Sequence, residues 1–107
     1  MPRISREAAI VTAIDVFAVA PEKQQQLVAL IARTNHEVSA LPGFISASLH
    51  QSLDGTHVVN YMQWQSQAAF EAMLAKPETQ QAIGEALQFA SAVPLEYAVV
   101  DVIEQAS

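Results

Sequence analysis

The sequence predicts an α+β fold in which one antiparallel sheet carries its helices on a single face. Three features predict it. Val- and Ile-rich runs stand at residues 9–19 and 93–103, an Asp54-Gly55 pair separates two further strand-like runs, and apolar residues recur at helical spacing after the first strand and after the hairpin. The resulting order is β-α-β-β-α-β.

Residues 9–19 (AIVTAIDVFAV) read as the first strand, after which Pro21 and Glu22 suit the first turn of a helix. Leu27, Leu30, Ile31, Thr34, Val38 and Leu41 then form one stripe, predicting an amphipathic helix over about residues 21–39 that Leu41-Pro42-Gly43 ends. Residues 44–52 and 57–65 read as two strands joined by Leu53-Asp54-Gly55-Thr56, with Asp-Gly the preferred pair for a tight type I′ hairpin turn. Phe70, Met73 and Leu74 mark a short helix, and Pro77 starts another carrying Ile83, Leu87 and Ala90. Residues 93–103 (VPLEYAVVDVI) read as the last strand.

This order is the ferredoxin-like split motif, whose first and third strands lie centrally. With Asp54-Gly55 at the turn, Leu49 faces Asn60, Ala47 faces Met62 and Ile45 faces Trp64, and this face is expected to meet the helices. The opposite face carries Ser46, Ser48, His50, His57, Val59, Tyr61 and Gln63, a mixed surface suited to a partner sheet. The last strand is apolar on both sides, with Val93, Leu95, Tyr97 and Val99 on one and Ala98, Val100 and Val102 on the other. A homodimer through the helix-free sheet face follows.

Composition narrows the function classes. The 107 residues fit one domain, expected over residues 9–103 with short tails at 1–8 and 104–107. Half are hydrophobic and only 15% charged, a lean charged surface that a second copy would help to cover. Eleven acidic against five basic residues give a net charge of −6, which argues against a nucleic-acid partner. The chain has no cysteine, hence no thiolate nucleophile or Cys-ligated zinc, and no apolar leader or span, so the expectation is a cytoplasmic protein away from the membrane.

One strand carries the functional hint. In Val58-Val59-Asn60-Tyr61-Met62-Gln63-Trp64 the side chains of Asn60 and Trp64 fall on the same face, and Trp64 is the only tryptophan. An amide beside an indole can bind a planar aromatic molecule by stacking and a hydrogen bond to its oxygen. The plain alternative is a core tryptophan beside a satisfied polar neighbour.

Several linked motifs resemble the antibiotic biosynthesis monooxygenase family of small dimeric α+β barrels, over roughly residues 9–103. They are Pro42-Gly43-Phe44 opening the second strand, the run from Leu49 to Gly55, Asn60-Tyr61-x-x-Trp64, and Ala69-Phe70-Glu71-Ala72-Met73. The resemblance implies a cofactor-free oxygenase that turns anthrones or quinols into quinones, with Asn60 and Trp64 matching the family's site residues. A further asparagine of the family's first strand corresponds to Asp15, and a tyrosine used by some members corresponds to Phe70. Haem-degrading relatives need a histidine where this chain has Leu74, so haem degradation is discounted. Leu49 and Met62 from the sheet, with Phe70 and Leu74 from the following helix, complete the expected substrate-binding surface.

The chemistry agrees with that resemblance. Hydroxyanthrones and quinols are acidic phenols whose anions are electron-rich enough to react with O2, so no cofactor and no metal is expected. The protein must desolvate the substrate and place donors where charge develops. Asn60 can supply the donor, Trp64 the stacking surface, and Asp15 the acceptor for the phenolic proton, a role that burial would assist by raising its pKa. Asp15 can equally be a rim carboxylate or a partner of Arg33. His36 lies off the apolar stripe and reads as solvated, while His50 and His57 lack a third ligand. Gly84 reads either as a packing glycine or a tolerated one. The alternative function is a non-catalytic dimeric binding module for an apolar aromatic metabolite in the same cavity.

Overall fold

The computed structural model describes residues 10–105. Strand β1 (Val11–Val19) leads through a 3₁₀ turn (Pro21–Lys23) into helix α1 (Gln24–Val38). Then come β2 (Phe44–Gln51), β3 (His57–Trp64), α2 (Gln67–Leu74), α3 (Pro77–Ala86) and β4 (Ala90–Tyr97). The sheet order is β2-β3-β1-β4, antiparallel throughout, so the first and third strands are central as the split motif requires. The fold class is the expected ferredoxin-like α+β arrangement, with the motif's second helix divided into α2 and α3 as the Phe70 and Pro77 segments predict.

Local chemistry sets the boundaries. Pro21 removes a backbone donor where a helix start has none to lose, and the tight 3₁₀ turn it begins passes directly into α1. Gly43 ends the α1–β2 loop with φ +86°, and a Cβ there would lie 2.5 Å from that of Ala69, so both conformation and space demand glycine. The Ser66 hydroxyl caps α2 by accepting from the Ala69 N–H at 3.1 Å, and Pro77 opens α3. α1 is tied to the hairpin by Gln24, whose buried Nε2 donates to the carbonyls of Ser52 and His57, both at 3.0 Å.

Pairing decides which side chains meet the helices. Residues opposite each other on neighbouring strands share a face, so Ala13, Asp15 and Phe17 of β1 stand with Met62, Asn60 and Val58 of β3. This is the helix side, and its core divides in two. One cluster holds Ala13, Val38, Met62, Trp64, Phe70 and Met73. The other holds Val19, Leu27, Leu30, Ile31, Val58 and Ala86. Asp15 and Asn60 belong to neither.

Three local expectations are corrected. The register places Leu49 opposite Asn60 and Ala47 opposite Met62 as read, but Phe44 and not Ile45 faces Trp64, because the ladder shifts between Phe44 and Ser46. The irregularity sets the Phe44 ring edge-on to the indole at 5.4 Å. The hairpin turn is not type I′, which needs positive φ at both Asp54 and Gly55, and only Gly55 has it, at +84°. Instead the Gly55 N–H donates to the Ser52 carbonyl at 3.2 Å, closing a turn of the type I family with Gly55 in the left-handed position after it. Asp54 stabilises this turn through its side chain, and hydrogen bonds from Thr56 and Ser52 pull its carboxyl down to about 2.

The last strand runs over Ala90–Tyr97 and not over residues 93–103, because its pairing with β1 ends where Thr12 meets Tyr97. Only one side of the observed strand is rich in large apolar residues, so the doubly apolar argument for a partner loses half its basis. Val16, Val93, Leu95 and Tyr97 share the helix-free face and are all exposed. No helix among the described residues is long and apolar enough to cross a membrane.

Candidate active site

Between the two core clusters the structure opens a cavity of about 370 Å³. Its floor comes from β1, β3 and β4, through Asp15, Phe17, Asn60, Met62 and Ala92, and α1 and the two following helices wall it. The lining is mostly apolar, and Asp15 is its only ionisable side chain among the described residues. This is the expected form of a small-molecule site: a concave apolar body with a few polar groups that fix orientation.

Those polar groups are set by the sheet. Asp15 and Asn60 are direct cross-strand partners, so both side chains stand on the helix face at neighbouring positions. Asn60 is 5% exposed and is held from above by Asn35 of α1. Asn35 Nδ2 donates to Asn60 Oδ1 at 2.9 Å, and Asn60 Nδ2 donates back to Asn35 Oδ1 at 3.2 Å. Among the described residues each amide thereby keeps one N–H unspent. Asp15 is partly buried, and desolvation raises its carboxyl above the ordinary carboxylate value. It does not pair with Arg33, which reaches Glu37 and Glu85 at 3.8 and 3.9 Å on the outer surface.

Of the residues expected from sequence, the fold gathers Asp15, Asn60, Met62, Phe70 and Leu74 around this cavity and leaves out Trp64 and Leu49. Trp64 is fully buried, packed with Met62, Phe70 and Met73 and met edge-on by Phe44, so its ring offers no open face for stacking. Its Nε1 is buried without a hydrogen-bond partner among the described residues. Leu49 flanks Asn60 on the β2 side, whereas the cavity extends over β1 and β4, and Leu49 packs against the Val19, Leu27 and Val58 cluster. His50 and His57 engage Ser48 and Thr56, each at 2.8 Å, and no group of three potential metal ligands occurs among the described residues. Gly84 faces open space, which removes the packing explanation.

The sequence reading missed Asn35. Its signal was available: the residue lies four after Ile31 and three before Val38, inside the apolar stripe of α1. A polar side chain on the buried face of a helix needs a partner, and only the tertiary structure supplies Asn60. Thr79, at the start of α3, also lines the cavity.

A ferredoxin-like sheet with an apolar cavity beneath its helices and an acid–amide pair in the floor defines a small α+β domain built to hold a small molecule. Residues 10–85 match the antibiotic biosynthesis monooxygenase family, and the chain belongs to it. It is 47% identical over 81 residues to the tetracenomycin-F1 monooxygenase of Streptomyces glaucescens, covering 75% of this chain and 72% of that protein. Among solved structures it superposes on a variant of SnoaB, a cofactor-independent oxygenase from Streptomyces nogalater. There the TM-score is 0.81 at 22% identity, over 92% of this chain and all of that one. Rv0793 from Mycobacterium tuberculosis gives a TM-score of 0.78 at 21% identity, over 89% of this chain and 99% of that one. At these identities the structural likenesses establish the fold.

Proposed function

We propose that this chain is a cofactor-independent monooxygenase that oxidises a hydroxylated polycyclic aromatic, an anthrone or quinol, to a quinone with O2. The observation that carries the reading is Asp15 beside Asn60 on the floor of a mostly apolar cavity. The family supports the reaction class, and the name of the tetracenomycin-F1 monooxygenase supports a polycyclic aromatic substrate. The domain that performs it is taken to span residues 9–103.

In this reading the substrate lies with its phenolic edge towards the sheet and its apolar body among Met62, Phe70, Met73 and Leu74. Asp15 accepts the phenolic proton, and the unspent N–H of Asn60 stabilises the oxyanion as charge develops. For an anthrone the anion's electrons reduce O2, a C–O bond forms at the methylene carbon, and the resulting hydroperoxide loses the remaining C–H proton as its O–O bond breaks. One oxygen atom becomes the quinone carbonyl and the other leaves as water, so the four electrons taken from carbon equal those received by O2. The dry apolar lining keeps water from competing for the anion. Trp64 contributes from behind the cavity wall, by holding Met62 and Phe70 in place.

The test is oxygen uptake with a panel of hydroxyanthrones and quinols. Uptake matched by quinone formation, and unaffected by a chelator, is expected; binding of every panel member without turnover would favour the binding module. We also propose that the exposed Val16, Val93, Leu95 and Tyr97 are covered by a second copy. Light scattering at micromolar concentration should give twice the chain mass, and Leu95→Lys should halve it. A monodisperse parent monomer would refute that surface.

A further inference from the structure

We propose that Asn35 is a positioning residue for Asn60, fixing the plane of its amide and so the direction of its one unspent N–H; the inference rests on the oxygenase reading. An asparagine amide turns easily about its last side-chain torsion, which has broad and roughly two-fold minima. The two reciprocal hydrogen bonds, at 2.9 and 3.2 Å, couple the two amides in one arrangement, so that neither turns alone. Turning either amide alone sets oxygen against oxygen and N–H against N–H across the same gap. With Asn60 nearly inaccessible to water, neither mismatch is relieved by solvent. The amides therefore keep their orientation or turn together.

The support for Asn35 is itself rigid. α1 is anchored at its first residue, where Gln24 donates to two backbone carbonyls of the hairpin, and along its length by Leu27, Leu30, Ile31 and Val38, all buried. The helix thus carries the sheet's frame to Asn35, and Asn35 returns it to the functional amide. A donor held this way needs no reorganisation as charge develops, which is what makes such donors effective. Asn35 also lines the cavity, so its positioning role is set apart from direct contact with a ligand, and from a merely structural bridge, by whether its effect on turnover passes through Asn60.

The experiment is a double-mutant cycle read by oxygen uptake with a hydroxyanthrone, comparing the parent, Asn35→Ala, Asn60→Ala and the double variant. Asn35→Ala should lower kcat about tenfold, as a small misplacement of a reacting partner does, with KM nearly unchanged. The double variant should be no slower than Asn60→Ala alone. Asn35→Leu, which keeps volume and removes both bonds, should repeat the result if the alanine variant does not fold. Losses that multiply in the double variant, a change confined to KM, or a parent-like kcat would overturn the role. So would failure of both Asn35 variants to fold, which marks the pair as structural. A parent that turns over beside unchanged Asn35 variants defeats this inference alone; a parent with no turnover defeats the oxygenase reading and this role with it.

Discussion

Asn60→Ala is expected to lower kcat on the order of a hundredfold, the usual loss when one donor aimed at a developing oxyanion is removed. It should also cost roughly 1–3 kcal/mol of stability, since it leaves the Asn35 amide without its partner. The two effects separate by measurement: thermal unfolding reports the second, and turnover per folded molecule reports the first. Steady-state oxygen uptake at a temperature where the variant is fully folded is the decisive assay. A folded Asn60→Ala protein working at the parent rate would remove Asn60 from the site.

Asp15→Asn is expected to remove the rise in the pH–rate profile that belongs to the Asp15 carboxyl, leaving only the rise set by the substrate's own ionisation. The carboxyl is raised above its ordinary value by desolvation, so its ionised and basic form is gained only as pH rises through that elevated titration. In the parent, rate therefore rises with pH there and levels off above it. In the variant the phenol must lose its proton to water, so at neutral pH kcat should fall on the order of a hundredfold. The gap should narrow as pH approaches the substrate's own ionisation. An unchanged profile would refute the role of Asp15 as the base.

The same shift has a consequence for stability, and its sign is opposite to that of a paired carboxylate. A carboxyl whose folded pKa lies above its unfolded value binds its proton more tightly in the native state. The native state is then favoured in acid, and that advantage is lost as pH rises from the ordinary carboxylate value through the raised one. Asp15→Asn should accordingly unfold at a higher temperature than the parent at neutral pH, with the difference vanishing in acid. Activity and stability should move in opposite directions at this one position, as expected where function requires an unfavourably buried group.

Much of the fold was legible because its signals are local. Pro21 and Pro77 mark helix starts, Gly43 closes the α1 loop, and the β3 alternation sets Val58, Asn60, Met62 and Trp64 on one face. Errors fell where a local preference met a longer-range constraint. Asp54-Gly55 suggested a type I′ turn, but the Ser52 hydroxyl and the Asp54 carboxylate bind the Thr56 N–H and favour another. Residues 98–103 have strand composition, yet the β1 pairing that would make them a strand ends at Thr12.

The sequence by itself determined the element order, the central position of β1 and β3, and the placement of Asn60 and Trp64 towards the helices, since period-two alternation and antiparallel pairing follow from backbone geometry, whereas Asp15 joined that face only through the β1–β3 register. Only the tertiary structure decided which neighbours became a site. Trp64 shares a face with Asn60, but Phe44 and the Met62 cluster enclose its ring. Asn35 lies 25 residues from Asn60 and reaches it because α1 crosses the sheet at that point. Periodicity assigns a side chain to a face, whereas the packing of one element on another decides whether that face meets a cavity, a partner amide or a filled core.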